Sequence, residues 1–234
     1  PRFFSFIFSK ADKVVVAGDY MERVFADINI KTIVIPHILE EGKWNYTLRS
    51  NAGNNLLWVR NIEKEYNPYM LIDLFEKLKT INPDFILNIV GVGSVENEIR
   101  SLIKQKDLDD IHLLGRVSHE RLNSLFENSD IFINTTNVDN QPVSVLEAML
   151  CGCVVVSTNP GGVPDIITHG YNGLLSNCGD VNTMVDNILS LIRNESKYTD
   201  ISKKAREFVI NNFSEDVIYD NWKVLYKEIG FDLN

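Results

Sequence analysis

The chain has 234 residues, of which 44% are hydrophobic and 24% are charged, and its formal net charge is −9 at pH 7. This composition is typical of a globular protein, and the acidic balance disfavours a nucleic-acid-binding protein, which would carry a basic stripe. No apolar run reaches the length of about 18 residues that a transmembrane helix needs, and the three cysteines lack metal-site spacing, so we expect buried thiols in a reducing compartment.

The first 40 residues predict the end of one α/β unit. The chain starts at Pro1, and its aromatic first ten residues lack a signal-peptide cleavage site, so we expect a piece of a longer protein. The sequence predicts a helix over residues 3–11, a strand over 13–17, a helix over 20–27 and a strand over 32–36. The next 14 residues, 41–54, are polar and irregular and predict a linker.

Five or six short apolar runs then alternate with amphipathic segments. We predict strands over residues 56–59, 84–90, 111–114, 131–133, 153–157 and 173–175. We predict helices that start at Pro68, at 96 and after Ser118 as N-cap, and helices over 143–151, 180–193, 196–212 and 214–229, the last with Ser214 as N-cap. This alternation predicts an α/β fold with a Rossmann-like parallel sheet and helices on both faces. We expect a domain over 55–213 and a C-terminal helix within 214–234.

Residues 131–167 form a strand-loop-helix-strand unit around which the rest is organised. Pro142 opens the helix, where its missing N–H costs nothing, and Gly152 lies where a left-handed residue ends it. A second helix entry follows at 160–164. Free N–H groups at the helix starts near Val143 and Gly162 favour a phosphate, at the sheet edge where α/β proteins bind ligands.

Two acids flank the first helix start. Asp139 lies in the loop and Glu147 in the second helical turn, with seven residues between them. A carboxylate repels a bare phosphate but accepts two hydrogen bonds from a vicinal diol. The pair therefore suits sugar or ribose hydroxyls, with a diphosphate over the helix start.

The pattern from Asp139 to Ile167, D-N-Q-P-V-S-V-L-E-A-M-L-C-G-C-V-V-V-S-T-N-P-G-G-V-P-D-I-I, resembles the signature of family-4 retaining glycosyltransferases of the GT-B fold. The resemblance implies that Glu147 binds the ribose and that Asp139, where a glutamate is usual, contacts the donor sugar. It implies nucleotide-sugar contacts by the residues that follow Asp139, namely Asn140, Gln141, Pro142, Val143 and Ser144.

Other nucleotide contacts of that family fall on three further positions of this chain. They are Gly93 in a G-V-G turn, the backbone near Val117, and Gly162 in the G-G loop. Asp165 stands where this loop usually has a glutamate.

The phosphate-binding loop departs from the family pattern G-R-x-x-x-x-K-G, whose Arg and Lys grip the donor diphosphate. Strict alignment puts Asn61 and Tyr66 at those two positions, while Arg60 and Lys64 lie one and two residues away. A cation here would offset charge on the leaving phosphate, and arginine can bind two oxygens. We favour Arg60 over Lys64 for this role.

The resemblance implies a retaining glycosyltransferase that transfers a sugar from a nucleoside-diphosphate sugar to a hydroxyl of a glycan or lipid, in surface polysaccharide or glycoconjugate synthesis. It implies no cofactor beyond this donor substrate and no metal, and it assigns residues 1–40 to the acceptor-side domain. We expect no nucleic-acid partner and a cytoplasmic location, with the inner membrane face as the alternative if the N-terminal part makes a peripheral membrane contact.

Three other interpretations stay open. A nucleotide-sugar epimerase of the GT-B fold would need no acceptor, and a non-catalytic nucleotide-binding module would bind without turnover. A Rossmann oxidoreductase is disfavoured, because Glu96 replaces the third glycine of the fingerprint after Gly91-Val92-Gly93. The D-x-D sequence at 107–109 fits a solvated turn better than a metal site.

Overall fold

The computed structural model describes residues 7–8 and 10–231. The helix predicted over residues 3–11 therefore lies mostly outside the described residues. The strands in the described part are β1 (Val15–Val16), β2 (Ile33–Val34), β3 (Asn55–Val59), β4 (Ile86–Val90), β5 (Ile111–Gly115), β6 (Ile131–Asn134), β7 (Val154–Thr158) and β8 (Leu174–Ser176). The α-helices there are α1 (Asp19–Ala26), α2 (Pro68–Ile81), α3 (Glu96–Gln105), α4 (His119–Glu127), α5 (Val143–Leu150), α6 (Val163–Ile166), α7 (Val181–Ile192), α8 (Glu195–Phe213) and α9 (Glu215–Glu228).

The main sheet has six strands in the order β5-β4-β3-β6-β7-β8, and every neighbouring pair is parallel. The chain builds outward from β3 on one side and then returns to build outward from β6 on the other. This reversal makes the gap between the ends of β3 and β6 the switch point, where ligands bind in open α/β sheets. The predicted Rossmann-like parallel sheet is confirmed.

Helices cover both faces of this sheet because its central strands, β3 and β6, are each apolar at all positions but one. Ile131 and Ile133 pack on one face with α2 and α7, whereas Phe132 packs on the other face with α5. Full burial of each such side chain contributes roughly 1.5–3 kcal/mol, so these strands fix the sheet. The long helix α8 contributes to both clusters, through Ile201 on one side and Val209 on the other.

The N-terminal unit is a two-stranded parallel sheet, β1-β2, with α1 beside it. Its strands are only two residues long, shorter than predicted. Ile35 of this unit packs against Ile218 and Leu225 of α9, so the C-terminal helix returns to the first unit. No helix in the described part of the chain is long and apolar enough to cross a bilayer.

Most predicted helix ends are confirmed at the level of single residues. The Ser118 side chain caps α4 by accepting a hydrogen bond from the N–H of Arg121, and Gly152 has the positive φ, +90°, expected after α5. Ser214 occupies the predicted N-cap position of α9, but its side chain makes no capping bond. Its backbone instead forms an isolated bridge with Leu39.

Candidate functional site

A cleft of about 480 Å³ opens at the carboxyl ends of β3, β4 and β5, beside the start of α5. Its position follows from the strand order, which brings the loop after β3 next to the loop after β6. The residues that line it are Val59, Arg60, Asn61, Tyr66, Val90, Gly91, Arg116, Val117, Leu122, Gln141, Val143 and Ser144.

An ion pair joins the two loops at the switch point. Arg60 follows β3 and donates through Nη2 to Oδ2 of Asp139, which lies in the loop after β6. The two side chains are only 14% and 10% exposed. Burial raises the pKa of Asp139, while the positive charge of Arg60 and the N–H of Asn140 lower it. The structure thus brings together two of the residues predicted for catalysis.

Glu147 is the third charged group of the site. It lies in the second turn of α5, and burial raises its pKa to about 7, an effect that the charge of Arg60 only partly offsets. The buried part of the site therefore holds the guanidinium of Arg60 against two carboxyl groups. Near neutral pH, Glu147 exists in both protonation states, so that its carboxyl group can donate as well as accept a hydrogen bond.

Several polar atoms of the site are buried without a hydrogen-bond partner among the described residues. They are Nε of Arg60, Oδ1 of Asn140 and Oγ of Ser144. Within the same part of the chain, no partner is recorded for the N–H groups of Val143 and Ser144 at the start of α5. Buried polar groups are rarely left unpaired, because each costs about 1–3 kcal/mol. Their concentration at one helix start indicates a ligand with several oxygen atoms.

The structure corrects the prediction for Gly162. Its N–H donates to the carbonyl of Asp139 at 3.0 Å, so it holds two loops together and is not free for a phosphate. A Cβ atom at Gly162 would overlap the carbonyl of Asn140, which explains the need for glycine. The helix that follows, α6, has only four residues and offers little dipole.

Gln141 lines the cleft, and its side chain has a second role beside the nucleotide-sugar contact, which stays a prediction. Its Nε2 donates to the carbonyl of Ala17 at 2.7 Å, and its Oε1 accepts from the N–H of His37 at 3.1 Å. Both ends of the amide thus tie the cleft to the N-terminal unit. Asp165 strengthens this contact by accepting two hydrogen bonds of 2.9 Å from Arg23 of α1.

The remaining predicted residues differ in their placement. Val117 lines the cleft, and its position near a nucleobase stays a prediction. Lys64 is exposed on a short 3-10 turn and is not part of the lining, so the structure places Arg60, and not Lys64, in the cleft. Gly93 follows β4, and a Cβ atom there would overlap the carbonyl of Ile62, so this glycine lets two loops pack closely.

Two cleft residues were missed by the sequence analysis. The Tyr66 ring lies against Arg60, with 4.8 Å between the guanidinium carbon and the ring centroid. Arg116 is an exposed cation at the cleft directly after β5. Its place after a strand end was a usable signal. The signal for Tyr66 was its alignment with a lysine of the family pattern.

No group of three or more His, Cys, Asp or Glu side chains with metal-site geometry was found in the described ranges.

Comparisons with known proteins identify the family of this chain. The family described as "Glycosyl transferases group 1" matches residues 47–208. The chain is 26% identical over 229 residues to an uncharacterized glycosyltransferase of Methanocaldococcus jannaschii, covering 97% of this chain and 63% of that protein. It is 27% identical to N-acetyl-alpha-D-glucosaminyl L-malate synthase of Bacillus anthracis, covering 77% of this chain and 47% of that protein.

Solved structures share the fold. TarM of S. aureus, in a complex with UDP among other ligands, superposes with a TM-score of 0.84 at 22% identity and covers 97% of this chain and 46% of its own. HepE of Anabaena, in complex with UDP and glucose, superposes with a TM-score of 0.83 at 18% identity over 93% of this chain and 64% of its own. This chain therefore spans about half to two-thirds of the length of the proteins it matches.

Proposed function

The chain belongs to the glycosyl transferases group 1 family, and we propose that it is the donor-binding part of a retaining glycosyltransferase that uses a nucleoside-diphosphate sugar. The observation that carries this proposal is the cluster of unpaired polar groups at the start of α5. The N–H groups of Val143 and Ser144, the Ser144 hydroxyl and the Arg60 Nε lie together with two acids at the switch point. A diphosphate with a sugar at each end would satisfy both kinds of group.

Each residue has a distinct role in this proposal. Arg60 and the N–H groups of Val143 and Ser144 bind the diphosphate and stabilise the charge that develops as it leaves. Glu147 accepts hydrogen bonds from the ribose hydroxyls. Asp139 contacts the donor sugar. The nucleobase lies near Val117, which lines the cleft together with Leu122.

The reaction is a transfer of one glycosyl group. The bond between the anomeric carbon and the diphosphate oxygen breaks, and a bond from that carbon to the acceptor oxygen forms on the same face. The acceptor hydroxyl gives its proton to the departing phosphate oxygen. The charge stabilisation by Arg60 then lowers the barrier, since it grows as the diphosphate leaves.

The same proposal extends to the rest of the protein. Residues 55–213 form the donor domain, residues 41–54 form the linker, and residues 1–40 belong to an acceptor-side domain that α9 braces. The acceptor is a glycan or a lipid-linked sugar in polysaccharide or glycoconjugate synthesis. This part rests on the relatives, among which are a putative colanic acid biosynthesis glycosyltransferase of Escherichia coli and a poly(ribitol-phosphate) alpha-N-acetylglucosaminyltransferase of Staphylococcus aureus.

Calorimetry with the full chain tests donor binding. UDP, GDP and ADP, each with and without a sugar, are titrated into the protein and into the Glu147→Ala variant. We expect one of the nucleotides to bind and the variant to bind it more weakly by about 1–3 kcal/mol, the usual cost of a lost charged hydrogen bond. A Glu65→Ala variant is the control, because Glu65 is exposed on a neighbouring loop. Equal affinity of all three proteins would contradict the ribose role of Glu147.

Turnover separates this function from its alternatives. Transfer to a glycan or lipid acceptor by the whole protein supports the transferase. Conversion of the nucleotide sugar without acceptor would support an epimerase. Binding with no turnover under either condition would support a non-catalytic module.

A further inference from the structure

We propose that Tyr66 is a positioning residue that holds Arg60, the one arginine buried in the described cleft, in reach of a donor diphosphate. This inference rests on the proposed function and adds a residue to it. The family pattern has a lysine at the position of Tyr66, so the chain has a ring where a second cation is usual. The ring does not replace that charge. It fixes the cation that remains.

The contact between the two side chains is direct. The guanidinium carbon of Arg60 lies 4.8 Å from the centroid of the Tyr66 ring, and both residues line the cleft. A guanidinium within about 6 Å of a ring centroid is attracted to the ring face, and the attraction is stronger where water is excluded. Arg60 is 14% exposed, so water competes little for this contact. The ring therefore limits the motion of the guanidinium.

Tyr66 is itself held by the sheet. Its carbonyl accepts a hydrogen bond of 2.9 Å from Oγ1 of Thr135, which directly follows β6. The same Oγ1 accepts a bond of 3.2 Å from Nε1 of Trp58, a fully buried residue of β3. The N–H of Tyr66 donates to Glu63 at 3.1 Å and closes a 3-10 turn. Both central strands thus fix the backbone segment that carries the ring.

The charges explain why such positioning matters. Arg60 bonds to Asp139 through Nη2, and its buried Nε has no partner among the described residues. An arginine free to rotate could satisfy Asp139 with any pair of its N–H groups. The ring that lies against the guanidinium limits its rotation, so that part of its donor capacity stays available for a phosphate while Nη2 remains on Asp139.

The test compares the contribution of the two phosphates in variants of the full chain. We measure the affinity of the protein for three nucleoside diphosphates and their nucleosides: UDP and uridine, GDP and guanosine, and ADP and adenosine. The variants are then compared with the pair whose diphosphate binds the wild type most tightly. The ratio of nucleoside to nucleoside-diphosphate dissociation constants isolates the phosphate contacts. The variants are Tyr66→Phe, which keeps the ring, and Tyr66→Leu and Tyr66→Met, which remove it.

We expect Tyr66→Phe to keep the wild-type ratio and the two ring-free variants to lower it about tenfold, with unchanged affinity for the nucleoside alone. In the Arg60→Gln background the ring-free substitutions should cause no further loss, because no cation is left for the ring to position. An unchanged ratio in a folded ring-free variant would overturn the proposal. So would an equal loss of nucleoside and nucleotide affinity, which signals a general structural role. Failure of the wild type to bind any of the three diphosphates would instead refute the proposed function itself, and this inference with it.

Discussion

Replacing Glu147 with glutamine should make the protein more stable at high pH. Burial raises the pKa of Glu147 to about 7 from an ordinary value of 4.5. The folded state therefore holds this proton more tightly than the unfolded state, and the stability falls as the pH rises from 4.5 to about 7. At 1.36 kcal/mol per pH unit, this span corresponds to about 3 kcal/mol. Glutamine has a similar shape and no charge to bury, so the variant avoids this loss.

Urea unfolding at pH 5 and pH 8 measures the effect. Part of the wild-type loss of stability already occurs below pH 5. From pH 5 to pH 8 we therefore expect the unfolding free energy of Glu147→Gln to rise by about 2 kcal/mol relative to that of the wild type. All other titrating groups are shared by the two proteins and cancel in the comparison. The control is Glu65→Gln, in which an exposed glutamate changes in the same way. If the difference in unfolding free energy between Glu147→Gln and the wild type is equal at both pH values, the burial argument is refuted.

The same variant separates stability from binding. An amide has one acceptor oxygen where a carboxylate has two, so Glu147→Gln should bind the nucleoside diphosphate more weakly, by about 1–3 kcal/mol. A protein that is more stable and yet binds its ligand less well cannot be explained by a folding defect. This combination would place Glu147 at the ligand. Stability and affinity that increase together would argue against the ribose role.

Two further predictions concern the loops and the thiols. Gly91→Ala should lower the unfolding free energy in urea by more than about 2 kcal/mol, because Gly91 has a φ of +135° and a Cβ atom would overlap the carbonyl of Arg60. The control is Gly42→Ala, because a Cβ atom at Gly42 meets nothing within 4 Å. Equal losses in the two variants would contradict the argument. A thiol reagent at pH 8 should label only Cys178 in the native protein and all three cysteines in urea. Cys178 is exposed, whereas burial raises the pKa of Cys153 to about 12. Fast labelling of a second thiol in the native protein would contradict the burial of the other two cysteines.

The sheet could be predicted because its signals are local. A run such as Ile131–Asn134 is apolar at nearly every position, which only a strand covered on both faces needs. Proline, glycine and serine at helix ends act through their own backbone or the next few residues, so Gly152 and Ser118 were found correctly. The strands of the N-terminal unit came out shorter than predicted, since hydrogen bonds to neighbouring strands define a strand end and the sequence pattern does not show them.

The site was predictable in composition but not in pairing. Asp139 and Glu147 were selected from their spacing and Arg60 from the resemblance of its loop to a family pattern, and the strand order brings the three together. What the sequence could not show is which polar groups satisfy one another across distant loops. The Gln141 side chain forms hydrogen bonds with backbone groups more than 100 positions away, and the N–H of Gly162 donates to the carbonyl of Asp139. Such contacts depend on tertiary placement and leave no periodic signal.

The balance of charge at the switch point sets a condition on any ligand. One guanidinium faces two carboxyl groups, and a diphosphate brings more negative charge to the same place. A ligand that is only an anion would therefore be repelled by Asp139 and Glu147, unless both acids are protonated. A ligand that also carries hydroxyl groups gives each acid a donor to bind and leaves Arg60 and the helix-start N–H groups for the phosphates. We therefore propose that the two acids favour a sugar-bearing diphosphate over inorganic phosphate at this site.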